Sequence, residues 1–126
     1  VSDLVFKRVE AIAKNVSAAM GCTAEVTIEI ITPAVINDSR VACVVEGAAL
    51  NTYPDSQIIT DYLTMGSEDM AYVFEKVPGC YVLFGSANSE KGFVYGHHHP
   101  KFDIDEDVLP RAAAIVTAAV MDFQKS

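Results

Sequence analysis

The apolar positions at the start of the chain repeat with a helical period. They recur at spacings of three and four: Val5, Val9, Ile12, Val16 and Ala19. This period predicts an amphipathic helix over about residues 3–20. Ser2 or Asp3 can cap the start of that helix, and Gly21 suits the left-handed backbone that often follows a helix end.

The pattern then changes to strict alternation. Val26, Ile28 and Ile30 alternate with polar residues, which predicts a strand over residues 24–32 with one buried face. A second strand is predicted over residues 79–85, because GCYVLFG is a short apolar run between two glycines. Such a continuous run is typical of a strand that is buried on both faces.

Two more helices are predicted between and beside these strands. One covers about residues 40–50, with Asp38 or Ser39 available as its N-cap. The other begins at Ser67, which can cap it, and ends before Pro78. Each has a polar start followed by apolar residues at helical spacing.

The rest of the chain holds one ambiguous segment and a last helix. Residues 51–65 fit a short helix or a strand equally well. The last helix follows the acidic run DIDED at residues 103–107, and Pro110 is tolerable only in its first turn. An acidic helix start on a solvated face explains DIDED better than a carboxylate metal cluster does. The order of elements predicts an α/β fold with few strands, whose sheet edges need partners.

Composition and charge narrow the class of protein. A chain of 126 residues with 51% hydrophobic residues fits one globular domain. The net charge of -8 argues against nucleic acid and anionic membranes as partners, because both attract positive charge. No apolar run reaches the roughly 20 residues that span a bilayer, and no signal peptide is recognised. The start at Val1 rather than Met indicates a piece of something longer.

The cysteines point to a reducing compartment. Cys22, Cys43 and Cys80 are odd in number and widely spaced, which does not predict a disulfide framework. The absence of a CxxC motif from the sequence argues against a thiolate zinc site. We therefore expect three small buried side chains and a cytoplasmic location.

All three histidines of the chain stand together, as His97, His98 and His99 between Gly96 and Pro100. In an extended segment His97 and His99 would share one face and His98 the other, so one tripeptide rarely surrounds a single ion. A zinc-like ion needs about four ligands, and the sequence has no HExxH motif. The tripeptide is therefore either an incomplete metal site or a solvated polar loop.

The motifs MGSEDMAYVFEKVPGCYVLFGS and HHHPKFDIDEDVLP, followed by a long apolar helix, resemble the C-terminal part of the aminoacylase/carboxypeptidase family of metal-dependent amidohydrolases. The branch that they resemble contains hippurate hydrolase and auxin-conjugate hydrolases. The resemblance implies that residues 34–126 are the C-terminal part of a metallopeptidase-like α/β catalytic domain. Residues 1–33 would be a helix and strand remnant of a βαββαβ lid or dimerisation domain.

The resemblance also implies roles for individual residues. The family's C-terminal metal ligand is the histidine two places before the loop proline, which is His98 here. Gly66, Ser67, His97 and His99 would face substrate. A complete site would hold two divalent ions (Zn, Mn or Co) and hydrolyse the amide bond of N-acyl amino acids or small peptides. The implied partners are the missing N-terminal part of the same protein and further copies of the chain, as a homo-oligomer.

The departures from the family pattern limit what this chain can do alone. The family's other metal ligands and its paired-glutamate general base are absent from the sequence, so no catalytic residue is predicted. We expect the chain by itself to retain no metal pair and to be inactive. The alternative is a non-enzymatic structural or interaction module that pairs with a partner through exposed sheet edges. The sequence does not determine the acyl group, the amino acid or the native metal.

Overall fold

A computed structural model describes residues 1–125 and contains four helices. They are α1 (Ser2–Ala19), α2 (Ser39–Thr52), α3 (Met70–Phe74) and α4 (Val108–Phe123). Within the described residues there is no strand ladder, and β-type pairing is limited to one isolated antiparallel bridge between Asn88 and Phe93. The chain divides into one unit of residues Val1–Ile31 and a second unit that begins at Thr32.

The first unit is built on α1, which confirms the helix predicted from the apolar period. The helix begins one residue earlier than predicted, so Val1 takes the N-cap position and no side chain caps it. The predicted cap by Ser2 or Asp3 is therefore wrong. The helix end is as predicted: Gly21 has a φ of 72°, and the Cys22 amide donates to a carbonyl of the last turn at 2.8 Å.

The segment after α1 is not the predicted strand. Residues 22–31 have no ladder partner among the described residues. The alternating pattern predicts a buried face, yet Ile28 is 38% exposed and Ile30 is 70% exposed. A pattern can favour extended backbone, but a strand also needs a neighbour whose N–H and C=O groups complete the ladder. The helix expected in residues 1–33 is thus present without its strand, and the assignment of this segment to a lid domain stays a prediction.

In the second unit, α2 and α4 pack against each other. Asp38 caps α2 as predicted, because its Oδ1 accepts from the amides of Arg40 at 3.0 Å and Val41 at 3.1 Å. The buried residues of the two helices are small or branched: Ala48, Ala49, Ile115 and Ala119. The alanines leave room for the two backbones to approach closely, so this pair forms the core of the unit.

The start of α4 is tied to the ambiguous segment. Arg111 donates to both carboxylate oxygens of Asp55, at 2.8 and 2.9 Å, and its guanidinium lies 4.4 Å from the ring centre of Tyr53. The Arg111 hydrogen bond lowers the pKa of Asp55. Pro110 lies in the first turn of α4, as predicted. Residues 53–65 form neither a helix nor a ladder strand, so neither alternative for this segment is confirmed.

The predicted strand at residues 79–85 pairs with no other strand in the described structure. It is held instead by one side chain: the Asn37 amide donates to the Tyr81 carbonyl at 3.0 Å, and the Tyr81 amide donates to Asn37 Oδ1 at 2.8 Å. The Asp38 amide also donates to the Gly79 carbonyl at 2.8 Å. Asn37 thus satisfies the groups that a neighbouring strand would pair, at a single residue. The α/β prediction is accordingly not confirmed for residues 1–125.

The cysteines differ from the prediction of three buried side chains. Cys22 and Cys43 are exposed, and only Cys80 is partly buried. Burial raises the pKa of the Cys80 thiol. All three are free thiols. None of the described helices combines the length and the apolar character needed to cross a membrane.

Candidate functional site

The three histidines lie at the tip of a closed loop, residues 86–105, which we call the histidine loop. Its base is the point where its two ends, Ser86 and Asp105, meet. Near the first end, the backbones of Asn88 and Phe93 exchange hydrogen bonds of 2.9 and 2.8 Å and close a small turn. Gly92 completes the turn within that bridge with a φ of 83°. The Asp105 amide donates to the Ser86 carbonyl at 2.9 Å and so joins the two ends of the loop.

The Asp105 carboxylate strengthens this base. One oxygen accepts from the Asn88 amide at 2.6 Å, and the other accepts from the Lys91 ammonium at 2.6 Å. Lys91 also contacts Asp107 at 2.6 Å. The side chain of Asp105 is 15% exposed, whereas that of Asp107 is 84% exposed. The Lys91 hydrogen bond, helped by Asn88, lowers the pKa of Asp105 to about 2.

The histidines occupy two consecutive turns, not the extended segment assumed from the sequence. The His99 amide donates to the Gly96 carbonyl at 3.2 Å, which places His97 and His98 at the centre of the first turn. His98 has a φ of 67°, and no other non-glycine residue among residues 1–125 has a positive φ. This is the third position of a type II turn, which normally takes glycine or asparagine. The second turn has Pro100 at its favoured position.

The three imidazoles have different surroundings. His99 stacks on Tyr95 with ring centres 4.1 Å apart, and its Nδ1 accepts from the Lys101 amide at 3.1 Å, so the neutral ring carries its proton on Nε2. His97 meets Phe102 edge to face at 4.9 Å. The His98 side chain has no ring contact or hydrogen bond within the described structure, and it is exposed. His98 is therefore the only one of the three imidazoles with neither a ring contact nor a hydrogen bond in the described structure.

This arrangement fits one metal ligand and not a whole metal centre. Imidazole nitrogen is a preferred ligand of zinc and related divalent ions. Residues 1–125 nevertheless contain no group of three or more histidine, cysteine, aspartate or glutamate side chains that could hold an ion. An ion would need further ligands from outside the described chain.

The other predicted substrate residues, Gly66 and Ser67, lie in an exposed segment before α3. Ser67 does not cap α3: the helix begins at Met70, and Glu68 instead accepts from the Met70 amide at 3.3 Å. The second Glu68 oxygen accepts from the Tyr81 hydroxyl at 2.8 Å, which lowers the pKa of Glu68. No hydrogen bond or ring contact joins Gly66 or Ser67 to the histidines in the part of the chain described.

The residues that shape the loop carry little local signal in the sequence. The acidic run predicts a helix start for Asp105, whereas its side chain pairs with residues 14 and 17 positions earlier. The stacking partners Tyr95 and Phe102 were not singled out. One local signal was available: Asn88 begins a turn by accepting from the amides of Glu90 and Lys91, a common role for asparagine before a glycine.

The sequence of this chain is similar to those of known hydrolases. The family model described as Peptidase family M20/M25/M40 matches residues 4–122. An amidohydrolase by name, YhaA of Bacillus subtilis (strain 168), is 34% identical over 125 residues, covering 99% of this chain and 32% of the relative. The IAA-amino acid hydrolase ILR1-like 6 of Arabidopsis thaliana is 30% identical over 116 residues, covering 89% of this chain and 25% of the relative.

A third relative is the N-acetyl-L-cysteine deacetylase of Bacillus subtilis (strain 168), 30% identical over 113 residues, or 90% of this chain and 26% of the relative. The chain thus spans between a quarter and a third of the length of these proteins. No solved structure gives a significant match. Because the family match includes both the segment before α3 and the whole histidine loop, the chain belongs to peptidase family M20/M25/M40, a family of hydrolases.

Proposed function

We propose that this chain is the C-terminal part of a metal-dependent amidohydrolase that cleaves the amide bond of N-acyl amino acids or small peptides. His98 supplies one metal ligand, and Gly66, Ser67, His97 and His99 line the substrate pocket. The relatives named for IAA-amino acids and N-acetyl-L-cysteine support an N-acyl amino acid as the substrate class. A cytoplasmic location and a homo-oligomer stay predictions.

The observation that carries the proposal is the backbone of His98. A non-glycine residue at positive φ costs roughly 1 kcal/mol or more, and such residues cluster where function requires them. The strain presents the one imidazole without a contact in the described loop at its exposed tip. His97 and His99 are each engaged with an aromatic ring, which suits side chains that flank a ligand.

A divalent ion held by His98 and further ligands would lower the pKa of bound water and polarise the scissile carbonyl. The contribution of this chain is to hold the His98 imidazole in place. The proton on His99 Nε2 can be donated to a carbonyl or carboxylate oxygen of a substrate. The general base is expected outside these 126 residues, because no paired glutamates occur in them.

A chimeric enzyme tests this proposal. This chain replaces the matching 32% of YhaA, and hydrolysis of N-acetyl amino acids is measured with Mn²⁺, Co²⁺ or Zn²⁺. We expect metal-dependent turnover that falls by about a hundredfold in His98→Ala, in line with the upper range for weakening a metal site. His97→Ala changes a residue proposed to line the substrate pocket and not to bind the metal, so its loss of turnover at saturating substrate should be smaller than that of His98→Ala. Equal losses in the two variants would contradict the assignment of His98.

The isolated chain is the second arm of the test. One ligand cannot hold a catalytic ion, so the purified 126 residues should show no turnover with any of the three metals. Metal-dependent hydrolysis by this chain alone would refute the proposal that it is part of a larger site. An inactive chimera that binds an unrelated protein partner tightly would favour the interaction module instead.

A further inference from the structure

We infer that Asp105 is a positioning residue for His98, because its hydrogen bonds to Ser86, Asn88 and Lys91 close the base of the histidine loop that carries the imidazole. The inference deepens the proposed function and rests on it, since the direction of the loop matters only if His98 binds a metal. Asp105 lies seven residues after His98 in the sequence and would act entirely through the loop.

One residue makes all three ties across the base. The Asp105 backbone donates to Ser86, while its carboxylate accepts from Asn88 and Lys91. Asn88 is also half of the bridge with Phe93. The beginning of the loop is therefore connected to its end by Asp105, and by few other contacts of the described loop.

The tip is stiff by itself and takes its direction from this base. Two ring pairs hold the tip: Tyr95 with His99, and His97 with Phe102. The segments that they enclose, residues 95–99 and 97–102, overlap. His98 lies inside both segments. A tip braced in this way moves as one piece, so a loosened base would swing the whole tip rather than bend it.

The two carboxylates on Lys91 provide a matched comparison. Asp105 is largely screened from solvent and accepts a second hydrogen bond, whereas Asp107 is 84% exposed and makes no side-chain cap for α4. Exposed ion pairs contribute little on their own, but a partly buried network with an additional hydrogen bond contributes more. Asp105→Asn should therefore loosen the base, and Asp107→Asn should leave it closed.

The experiment uses the isotopically labelled chimera with YhaA, which supplies the further ligands proposed for His98, and titrates it with Co²⁺ while following the imidazole NMR signals of His97, His98 and His99. In the wild type and in Asp107→Asn, the His98 signal should broaden at lower Co²⁺ than those of His97 and His99. In Asp105→Asn, the Co²⁺ concentration that half-broadens His98 should rise about tenfold, the size of effect typical of residues behind a metal ligand. Far-UV circular dichroism checks that the helices persist.

Lys91→Met is the second variant, which loosens the same base without altering Asp105 and stands in if Asp105→Asn loses its helices. If the His98 signal in Asp105→Asn and Lys91→Met broadens at the same Co²⁺ concentration as in Asp107→Asn, the positioning role is overturned and the assignment of His98 stays intact. Three histidines that broaden together in the wild type would overturn both the positioning role and the assignment of His98. A loss of His98 selectivity confined to Asp105→Asn and Lys91→Met is the supporting result.

Discussion

At the scale of single residues, the histidine tripeptide shows how identical side chains acquire different chemistry. His97 and His99 each contact an aromatic ring of the same loop, whereas His98 has a positive φ and contacts no ring. The three histidines are adjacent in the sequence, and the expectation that His97 and His99 share one face depends on an extended backbone. In the structure these residues form a turn. His98 differs from its neighbours by its backbone conformation and not by the alternation of side chains along a strand.

The strain at His98 can be measured by comparing two glycine variants. His97→Gly and His98→Gly both give up a side chain and both add freedom to the unfolded chain. Only His98→Gly relieves a positive φ, so its free energy of unfolding should exceed that of His97→Gly by about 1 kcal/mol. Urea unfolding followed by circular dichroism measures the difference. Equal stabilities would mean that His98 is not strained in solution.

At the scale of elements, the helices were predicted well and the strands were not. The period of α1, the Asp38 cap of α2 and the early proline of α4 are local features that the sequence carries by itself. The two segments predicted as strands each lack a ladder partner in the described residues. Asn37 replaces such a partner at Tyr81, 44 residues away, which no local pattern could reveal.

A methyl group added at two glycines of the second unit, Gly79 and Gly47, should change the free energy of unfolding in opposite directions. At Gly79 the methyl would overlap the ring of Phe74, so Gly79→Ala should lower the free energy of unfolding by about 1–3 kcal/mol. At Gly47, inside α2, the methyl meets open space, so Gly47→Ala should raise it by about 1 kcal/mol. Thermal unfolding of both variants tests this. A neutral Gly79→Ala would show that Phe74 does not pack on this glycine.

The base of the histidine loop should open in acid. The pKa of Asp105 is lowered from 3.8 to about 2, chiefly by the hydrogen bond from Lys91. The ionised carboxylate therefore stabilises the folded chain at pH values above the pKa that Asp105 has in the unfolded chain. That stabilisation is lost as the pH falls from about 4 through 2. Amide hydrogen exchange of Asp105, whose N–H donates to the Ser86 carbonyl, should quicken over this range relative to the intrinsic rate. Unchanged protection at pH 2 would contradict the ion pair.

At the scale of the whole molecule, the buried core is small. The buried apolar residues of the described chain are Ala48, Ala49, Ala71, Ile115 and Ala119. Many large apolar side chains are instead exposed, including Leu4 and Ile12 of α1 and Val120 of α4. These side chains are thus uncovered in the described chain, which spans a quarter to a third of the length of its relatives.

Exposed apolar surface predicts self-association of the isolated chain. Light scattering should show a mass above the 13.6 kDa monomer, increasing with ammonium sulfate, because excluded salts strengthen apolar burial. The net charge of -8 opposes this association and should limit it at low ionic strength. A monomer at every salt concentration would indicate that the apolar faces are covered within the chain.

The sequence by itself determined the helices, the Asp38 cap, the glycine that ends α1 and the motifs of the hydrolase family, since these depend on residues within a few positions of one another. Only the three-dimensional structure decided which histidine lacks a ring contact, how Asn37 holds Tyr81 and how Asp105 closes its loop. The last two depend on groups 14 to 44 positions apart in the sequence, whose approach is set by the path of the backbone. A hydrogen bond or ion pair acts only over a few ångströms, so a linear pattern cannot specify which distant groups will come within reach.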